Sequence, residues 1–328
     1  VGAVNARGII QNNDLDRYNF SVRNTTSMLN DKLTMDLSFM YSNVKEQNML
    51  SQGEYANPLV PVYLFPRGDD FSKYQYYERY DVDRNIKTQF WPLKENGLSM
   101  QNPYWITNRN MYTNKKDRFL ASGSLKYTIT DWLNVSGRVK LDKETINSEK
   151  KMYASTLNVI AENSDKGAYV QSNKNTSQIY ADAMLNINKY FYHDTWNLTA
   201  SLGASLLDLD YKELNFGGGL LTIPNLFTSN NANVSGKLTY KNTNYHDRTN
   251  SLFGTFSLGY KGMVYVDGSL RNDWISALAG TNHSSILYPS IGASAILTNM
   301  FTMKSNILSY AKVRLSYSEV GNAPERFR

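Results

Sequence analysis

The sequence predicts an all-β protein, and more specifically an antiparallel transmembrane β-barrel. Apolar and polar residues alternate along many stretches, as at 33–41, where every second residue is apolar and Thr34, Asp36 and Ser38 point the other way. These stretches are longer than the ~5–6 residues of an ordinary globular strand. Short and long connections also alternate between them, which is typical of membrane barrels.

Composition narrows the class of protein further. The chain of 328 residues contains 24 tyrosines against 13 phenylalanines, and tyrosine suits half-wet positions such as membrane interfaces. The net charge of +6 is spread along the chain, which argues against a nucleic-acid partner. The absence of cysteine excludes disulfide scaffolds, Cys-ligated metals and thiol catalysis. There is no apolar window of about 18 residues, so no membrane-spanning helix is predicted.

The alternating stretches predict roughly ten strands long enough to cross a membrane. They lie near residues 17–29, 32–46, 117–130, 133–149, 177–190, 194–211, 249–260, 263–274, 286–298 and 309–319. Short links are expected at 30–31, 130–132, 193–194 and 261–262, and long extracellular loops at about 47–116, 150–176, 212–247 and 275–285. All of 1–328 is expected to belong to one barrel domain. Because the chain starts at Val1 without a signal-peptide pattern, we expect a piece of a longer protein.

A soluble all-β sandwich or propeller is the alternative fold, since its strands also alternate. Those folds use shorter strands and more even spacing. A propeller would also show a repeat of 20–50 residues, and none is visible. Strand length, unequal connections and abundant tyrosine favour the membrane barrel.

Several motifs resemble those of the SusC/RagA-type TonB-dependent transporters of Gram-negative outer membranes. The most specific is YKGMVYVD at 260–267, which runs into RNDW at 271–274. YPSIG at 288–292 and KVRLSYSEVGN at 312–322 follow in the order expected for the family. Upstream, NPYW at 102–105, DRF at 117–119 and TDWL at 130–133 fit the same family. The resemblance spans nearly the whole chain.

This resemblance implies a sector of a larger barrel of about 22 strands. The family's N-terminal plug domain and the segment that engages TonB are not in this chain. The resemblance also implies a SusD-like surface lipoprotein as lid, and uptake of oligosaccharides or oligopeptides across the outer membrane. A passive porin or structural outer-membrane barrel is the first alternative function. A soluble β-rich carbohydrate-binding or adhesion module is the second.

No set of residues predicts catalysis, and we expect a protein that is not an enzyme and has no cofactor. The three histidines lie in separate connections, and the glycine run 217–219 lacks the Lys-Ser/Thr of a phosphate loop. Asp208 and Asp210 with Glu213 suggest a cation site, but the two aspartates alternate with Leu207, Leu209 and Tyr211, which indicates the polar face of a strand end. No metal site is therefore predicted.

The aromatic loop at about 47–116 is the strongest functional candidate. A structureless loop of this length is generally functional or mobile. Aromatic rings next to amide and charged side chains can stack on sugars or hold a peptide, and the predicted ligand or lid contacts are Trp91, Tyr104, Trp105, Tyr76 and Tyr77. Packing of these rings within the loop or on a partner is the alternative. A second candidate is a polar cluster of Arg271 and Asp273, which share a strand face and are predicted to point to the lumen or the plug.

Overall fold

In the computed structural model, which describes residues 1–49, 55–92, 100–233, 240–301 and 308–321, eleven strands form one antiparallel sheet. The thirteen strands are β1 (Gly2–Arg7), β2 (Asp14–Met28), β3 (Leu33–Gln47), β4 (Glu78–Asp81), β5 (Ile86–Gln89), β6 (Asn110–Thr130), β7 (Leu133–Tyr153), β8 (Gly167–Phe191), β9 (Trp196–Gly219), β10 (Lys241–Tyr260), β11 (Val264–Ile275), β12 (Ser285–Ile296) and β13 (Lys312–Ser318). The helices are α1 (Leu59–Tyr63), α2 (Pro103–Arg109) and α3 (Leu297–Met300). Chain neighbours pair throughout the large sheet, while β4 and β5 form a separate hairpin. Among the described residues, no pairing joins β1 to β13.

Tight turns connect the strands at one end of the sheet, as predicted. Between β2 and β3, Leu29, Asn30 and Asp31 all adopt left-handed backbone angles, with φ of 56°, 52° and 62°. Lys261 and Gly262 do the same between β10 and β11. One connection at this end is longer, since 297–311 separates β12 from β13 and begins with α3.

The outer face of the sheet is apolar and exposed over a belt that matches a bilayer crossing. Along β3, β7, β8 and β9 the belt occupies 33–41, 133–141, 179–187 and 198–206, close to the ~9–11 residues of a transmembrane strand. Leu37 is 47% exposed, Val139 55% and Leu202 58%. A soluble sandwich buries one face of each sheet, whereas here the buried apolar residues of the described chain all lie beyond the belt, at the long-connection end: Tyr74, Trp91, Trp105, Ile106, Met152, Ala154, Leu157, Ala161, Ala168, Tyr169, Leu220 and Ala232.

The inner face is polar and carries ion pairs between neighbouring strands. Arg138 of β7 bonds Asp182 of β8 at 2.7 Å, and Arg118 of β6 bonds Asp142 of β7 at 2.5 Å. Apolar outside and polar inside is the pattern of a wide membrane barrel, and it confirms the predicted fold class.

The strands are longer and more numerous than the sequence predicts. β1 was not predicted, β8 begins at Gly167 instead of near 177, and β9 continues to Gly219 instead of ending near 211. Because the strands are longer, the connections between them are shorter than predicted, for example 154–166 in place of 150–176. The reason is that both faces are polar beyond the belt, so the alternation disappears although backbone pairing continues. Asn322 of the last motif lies outside the described residues.

None of the helices in the described part of the chain is both long and apolar enough to cross a membrane.

Candidate functional site

The connection between β3 and β6 folds into a lobe, defined here as residues 55–92 and 100–109. It contains α1, a 3₁₀ turn (Phe71–Gln75), the β4–β5 hairpin and α2. The prediction of a structureless loop is therefore wrong for these residues. The physical reason is its aromatic content, because Phe65, Tyr74 and Trp91 pack with ring centroids 5.3–5.6 Å apart and form a small core.

A buried amide fixes the first turn of α2 inside the lobe. Asn102 is fully buried, and its Nδ2 donates to the carbonyls of Tyr74 at 2.8 Å and Phe90 at 2.9 Å. Its Oδ1 accepts from the backbone N–H of Tyr104 at 2.8 Å, which caps the helix. One side chain thus joins three segments of the lobe.

A second set of hydrogen bonds attaches the lobe to the connection between β7 and β8. Gln89 Nε2 donates to the carbonyl of Ser155 at 2.6 Å. Trp105 Nε1 donates to Thr156 Oγ1 at 3.0 Å, and the same Thr156 donates to Asn110 Oδ1 at 2.7 Å. Because these groups lie largely out of solvent, each bond left unmade would cost ~1–3 kcal/mol. The lobe is therefore held on the sheet by specific contacts.

An ion pair joins the hairpin of the lobe to α2. Glu78 Oε2 accepts from Arg109 at 2.6 Å, and Glu78 Oε1 accepts from Lys87 at 2.6 Å. Burial opposes ionisation of this carboxyl, but the hydrogen bonds from Lys87 and Arg109 outweigh burial and lower the pKa of Glu78 below its ordinary value. The guanidinium of Arg109 also lies 4.9 Å from the ring centre of Tyr153 in β7, which ties the pair to the sheet.

The predicted ligand contacts in the lobe have very different exposures. Trp105 is 1% exposed and Trp91 5%, so both rings pack inside the lobe and present no broad face to a ligand. Tyr104 and Tyr77 are half-buried. Tyr76 is 72% exposed, so it is the predicted residue that is most available for contact from outside.

Arg271 and Asp273 lie together on the polar face of β11. Arg271 Nε bonds Asp273 Oδ1 at 2.7 Å, and Arg271 also donates to Ser251 Oγ at 2.8 Å. Its guanidinium lies 5.5 Å from the ring centre of Phe253. The cluster is thus held by contacts within the sheet itself.

A third set of residues, which the sequence did not predict, lies on the inner face near the long-connection end. Tyr211 and Tyr245 stack at 4.7 Å and 16°. Glu213 accepts from the Tyr211 hydroxyl at 2.8 Å, with the ammonium groups of Lys241 and Lys174 at 3.7 and 4.0 Å. Such a set can both stack on and hydrogen-bond a polar ligand. The sequence does not predict this set, because Lys241 and Tyr245 lie in the predicted loop 212–247 and a polar strand end has no alternation of apolar and polar residues.

The acidic residues near the end of β9 do not form one site. Asp208 lies on the outer face, where it pairs with Arg248 at 2.7 Å and His246 at 2.8 Å. Glu213 lies on the inner face by strand parity. In the part of the chain that the structure describes, no group of three or more His, Asp or Glu residues is arranged to hold a metal ion.

Solved structures with a similar fold support the predicted fold class. One described as the RagAB peptide transporter matches with a TM-score of 0.67 and 17% identity, over 93% of this chain and 33% of that chain. The fold is that of an outer-membrane β-barrel. The resemblance to RagA-type transporters that the motifs predicted is thereby confirmed at the level of the fold.

Two further structures are more distant. The ferric-catecholate import receptor Fiu from E. coli K12 matches with a TM-score of 0.52 and 10% identity, over 96% of this chain and 45% of that chain. BauA, the ferric preacinetobactin receptor from Acinetobacter baumannii, matches with a TM-score of 0.50 and 9% identity, over 89% of this chain and 39% of that chain. No protein-family model and no curated protein matches the sequence. The chain thus spans about a third of the length of the RagAB chain that it matches.

Proposed function

We propose that this chain is part of the barrel of a TonB-dependent importer in the outer membrane of a Gram-negative bacterium. The observation that carries the proposal is the fit of 93% of the chain to the RagAB peptide transporter. The apolar belt supports it, because an outward-facing apolar band is the lipid-contacting surface of a membrane barrel. The polar inner face supports it as the wall of a hydrated lumen. The long-connection end faces outside and the tight turns face the periplasm.

The barrel sector acts with parts outside this chain. A plug fills the lumen, where Arg271 and Asp273 contribute to the polar wall beside it. TonB supplies energy from the inner membrane through the plug. A SusD-like lipoprotein closes over the lobe, and Tyr76 and Tyr77 contact either the lid or the ligand.

The ligand is an oligopeptide or an oligosaccharide. RagAB is a peptide transporter, which supports the first. Tyr211 and Tyr245 with Glu213 and the lysines around it offer stacking faces, donors and acceptors, which suit either ligand. No catalytic step is needed, because the chemistry of these side chains is binding.

Uptake by the full-length protein tests the proposal. Cells that express it take up labelled oligopeptide or oligosaccharide, and a protonophore abolishes the uptake because TonB needs the proton gradient. Uptake that a protonophore leaves unchanged would instead indicate the passive porin. Recovery of the protein without detergent would indicate the soluble module.

A pair of variants localises the binding surface. Tyr76→Ala, at the exposed edge of the lobe, lowers uptake, whereas Tyr192→Ala, equally exposed in the tight turn at the other end of the sheet, does not. If both variants transport normally, Tyr76 has no role in binding or lid contact.

A further inference from the structure

The outer face of β3, β6 and β7 carries an apolar groove inside the belt. Leu37, Gly123 and Val139 lie opposite one another across these strands. A hollow of about 430 Å³ lies there, lined by Val22, Gly123 and Leu141 among others. A second hollow of about 420 Å³ continues past Gly137 to β8. A bilayer-facing hollow of this size fits an acyl chain rather than a compact polar ligand.

Three exposed lysines lie above this groove on the same three strands: Lys45, Lys115 and Lys143. Lys143 is the next outward-facing residue after Leu141, which lines the groove. Lys45 and Lys115 face each other directly across β3 and β6. Like charges in that position are unfavourable, so the pair gains stability from an anion between them.

The lysines differ from the other cations on this rim of the outer face, which have carboxylate partners in the described chain. Lys151 pairs with Glu149 at 2.8 Å, Lys212 with Asp210 at 3.1 Å, and Arg248 with Asp208 at 2.7 Å. Among the described residues, no carboxylate lies within ion-pair distance of Lys45, Lys115 or Lys143.

Three nearby carboxylates are bound to other donors. Glu149, whose charge interacts with Lys115, accepts from Lys151 at 2.8 Å and from the Tyr169 hydroxyl at 2.9 Å. Asp16 accepts from Asn5 and Arg7 at 2.9 Å. Asp117 accepts from the Tyr41 hydroxyl at 2.6 Å and from Asn43 at 2.8 Å. The three lysines therefore retain their donors for a ligand from outside the chain.

We propose that this surface binds a phosphorylated lipid of the outer leaflet, with its headgroup phosphates on the lysines and an acyl chain in the groove below. Phosphate oxygens accept charge-assisted hydrogen bonds from ammonium groups. The height fits, because the lysines start where the belt ends and the headgroup region begins. The inference rests on the proposed placement in the outer membrane, but it does not depend on what the barrel imports.

Native mass spectrometry of the detergent-solubilised full-length protein tests this, with lipid A as the probe. The wild-type protein retains lipid A. The triple variant K45Q/K115Q/K143Q loses at least about tenfold in affinity for lipid A, since several charge-assisted hydrogen bonds are lost. The matched variant K151Q/K212Q, whose lysines have carboxylate partners, binds like the wild type. Equal binding by the triple variant would overturn the proposal.

Two further measurements distinguish the contribution of the headgroup to binding from that of the acyl chain. Dephosphorylated lipid A binds more weakly than lipid A, and inorganic phosphate at equal concentration does not displace it. Displacement by phosphate alone would show a simple anion site and refute the lipid. Gly137→Leu fills the second hollow without backbone strain, since its Cβ position is 3.6 Å from the nearest atom, and it weakens lipid A binding while the lysines remain.

Assembly is checked for every variant by heat-modifiable gel mobility, so that loss of binding is not confused with loss of fold. Uptake is measured in parallel. Wild-type protein that binds lipid A but imports nothing would refute the importer and leave the lipid site intact.

Discussion

Removal of the Trp105 side chain is expected to release the lobe from the sheet while the barrel stays assembled. The ring is 1% exposed, and truncation of a buried tryptophan costs about 3–5 kcal/mol. The lost hydrogen bond to Thr156 adds about 1 kcal/mol. The strands below are held by their own backbone ladder, so the loss is confined to the lobe and to the 154–166 connection.

Trp105→Phe separates packing from hydrogen bonding. It keeps most of the apolar surface but removes the N–H donor to Thr156, so its cost is about 1–3 kcal/mol. Tyr76→Ala serves as the exposed control, because a side chain that is 72% exposed contributes within about 0.5 kcal/mol. The expected order of lobe stability is wild type and Tyr76→Ala first, then Trp105→Phe, then Trp105→Ala.

Limited proteolysis measures this order. Cleavage within residues 55–109 is faster in Trp105→Ala, and heat-modifiable gel mobility shows that the barrel remains folded. The reasoning is refuted if Trp105→Ala resists protease like the wild type, since the ring would then not hold the lobe in place.

Three other predictions concern the faces of the sheet and the lobe. Val139→Arg, on the outer belt, destabilises the barrel by about 2–4 kcal/mol if residue 139 lies near the bilayer midplane, whereas Ser136→Arg on the inner face has little effect. Urea-dependent folding into vesicles measures the free energy of unfolding of both variants. Equal losses of stability would contradict the assignment of the two faces. Leu37→Cys resists aqueous thiol reagents in membranes and Ser38→Cys reacts, so labelling of both to the same extent would contradict the topology. The pKa of Glu78 is lowered by its hydrogen bonds from lysine and arginine, so the folded lobe binds this proton less readily than the unfolded chain. The stabilisation of the lobe by ionised Glu78 is complete at pH values above the ordinary pKa of 4.5 and is lost as the pH falls below that value. The protease resistance of the lobe should therefore decrease in that pH range, and Glu78→Gln should remove this pH dependence.

The strands inside the belt were predictable from the sequence because one of their faces is apolar. Leu33 to Tyr41 shows this, since a side-chain period of two is readable only where the two faces differ in polarity. The turn at Asn30 and Asp31 was predictable for a related reason, as short polar links between long strands leave room only for a tight turn. The upper halves of β8 and β9 were not predictable, because polar residues occupy both faces there.

The candidate sites depended on contacts that no local pattern encodes. Trp105 and Tyr76 look alike as aromatic loop residues, and only the packing of the lobe buries the first and leaves the second exposed. Lys45 and Lys115 lie far apart along the chain and face each other only through the register of β3 and β6. Lys143 shares their face of the sheet only through the register of β6 and β7. Alternation along the chain thus determined which face of each strand meets lipid, whereas register and lobe packing, which depend on pairing between distant segments, decided which side chains meet.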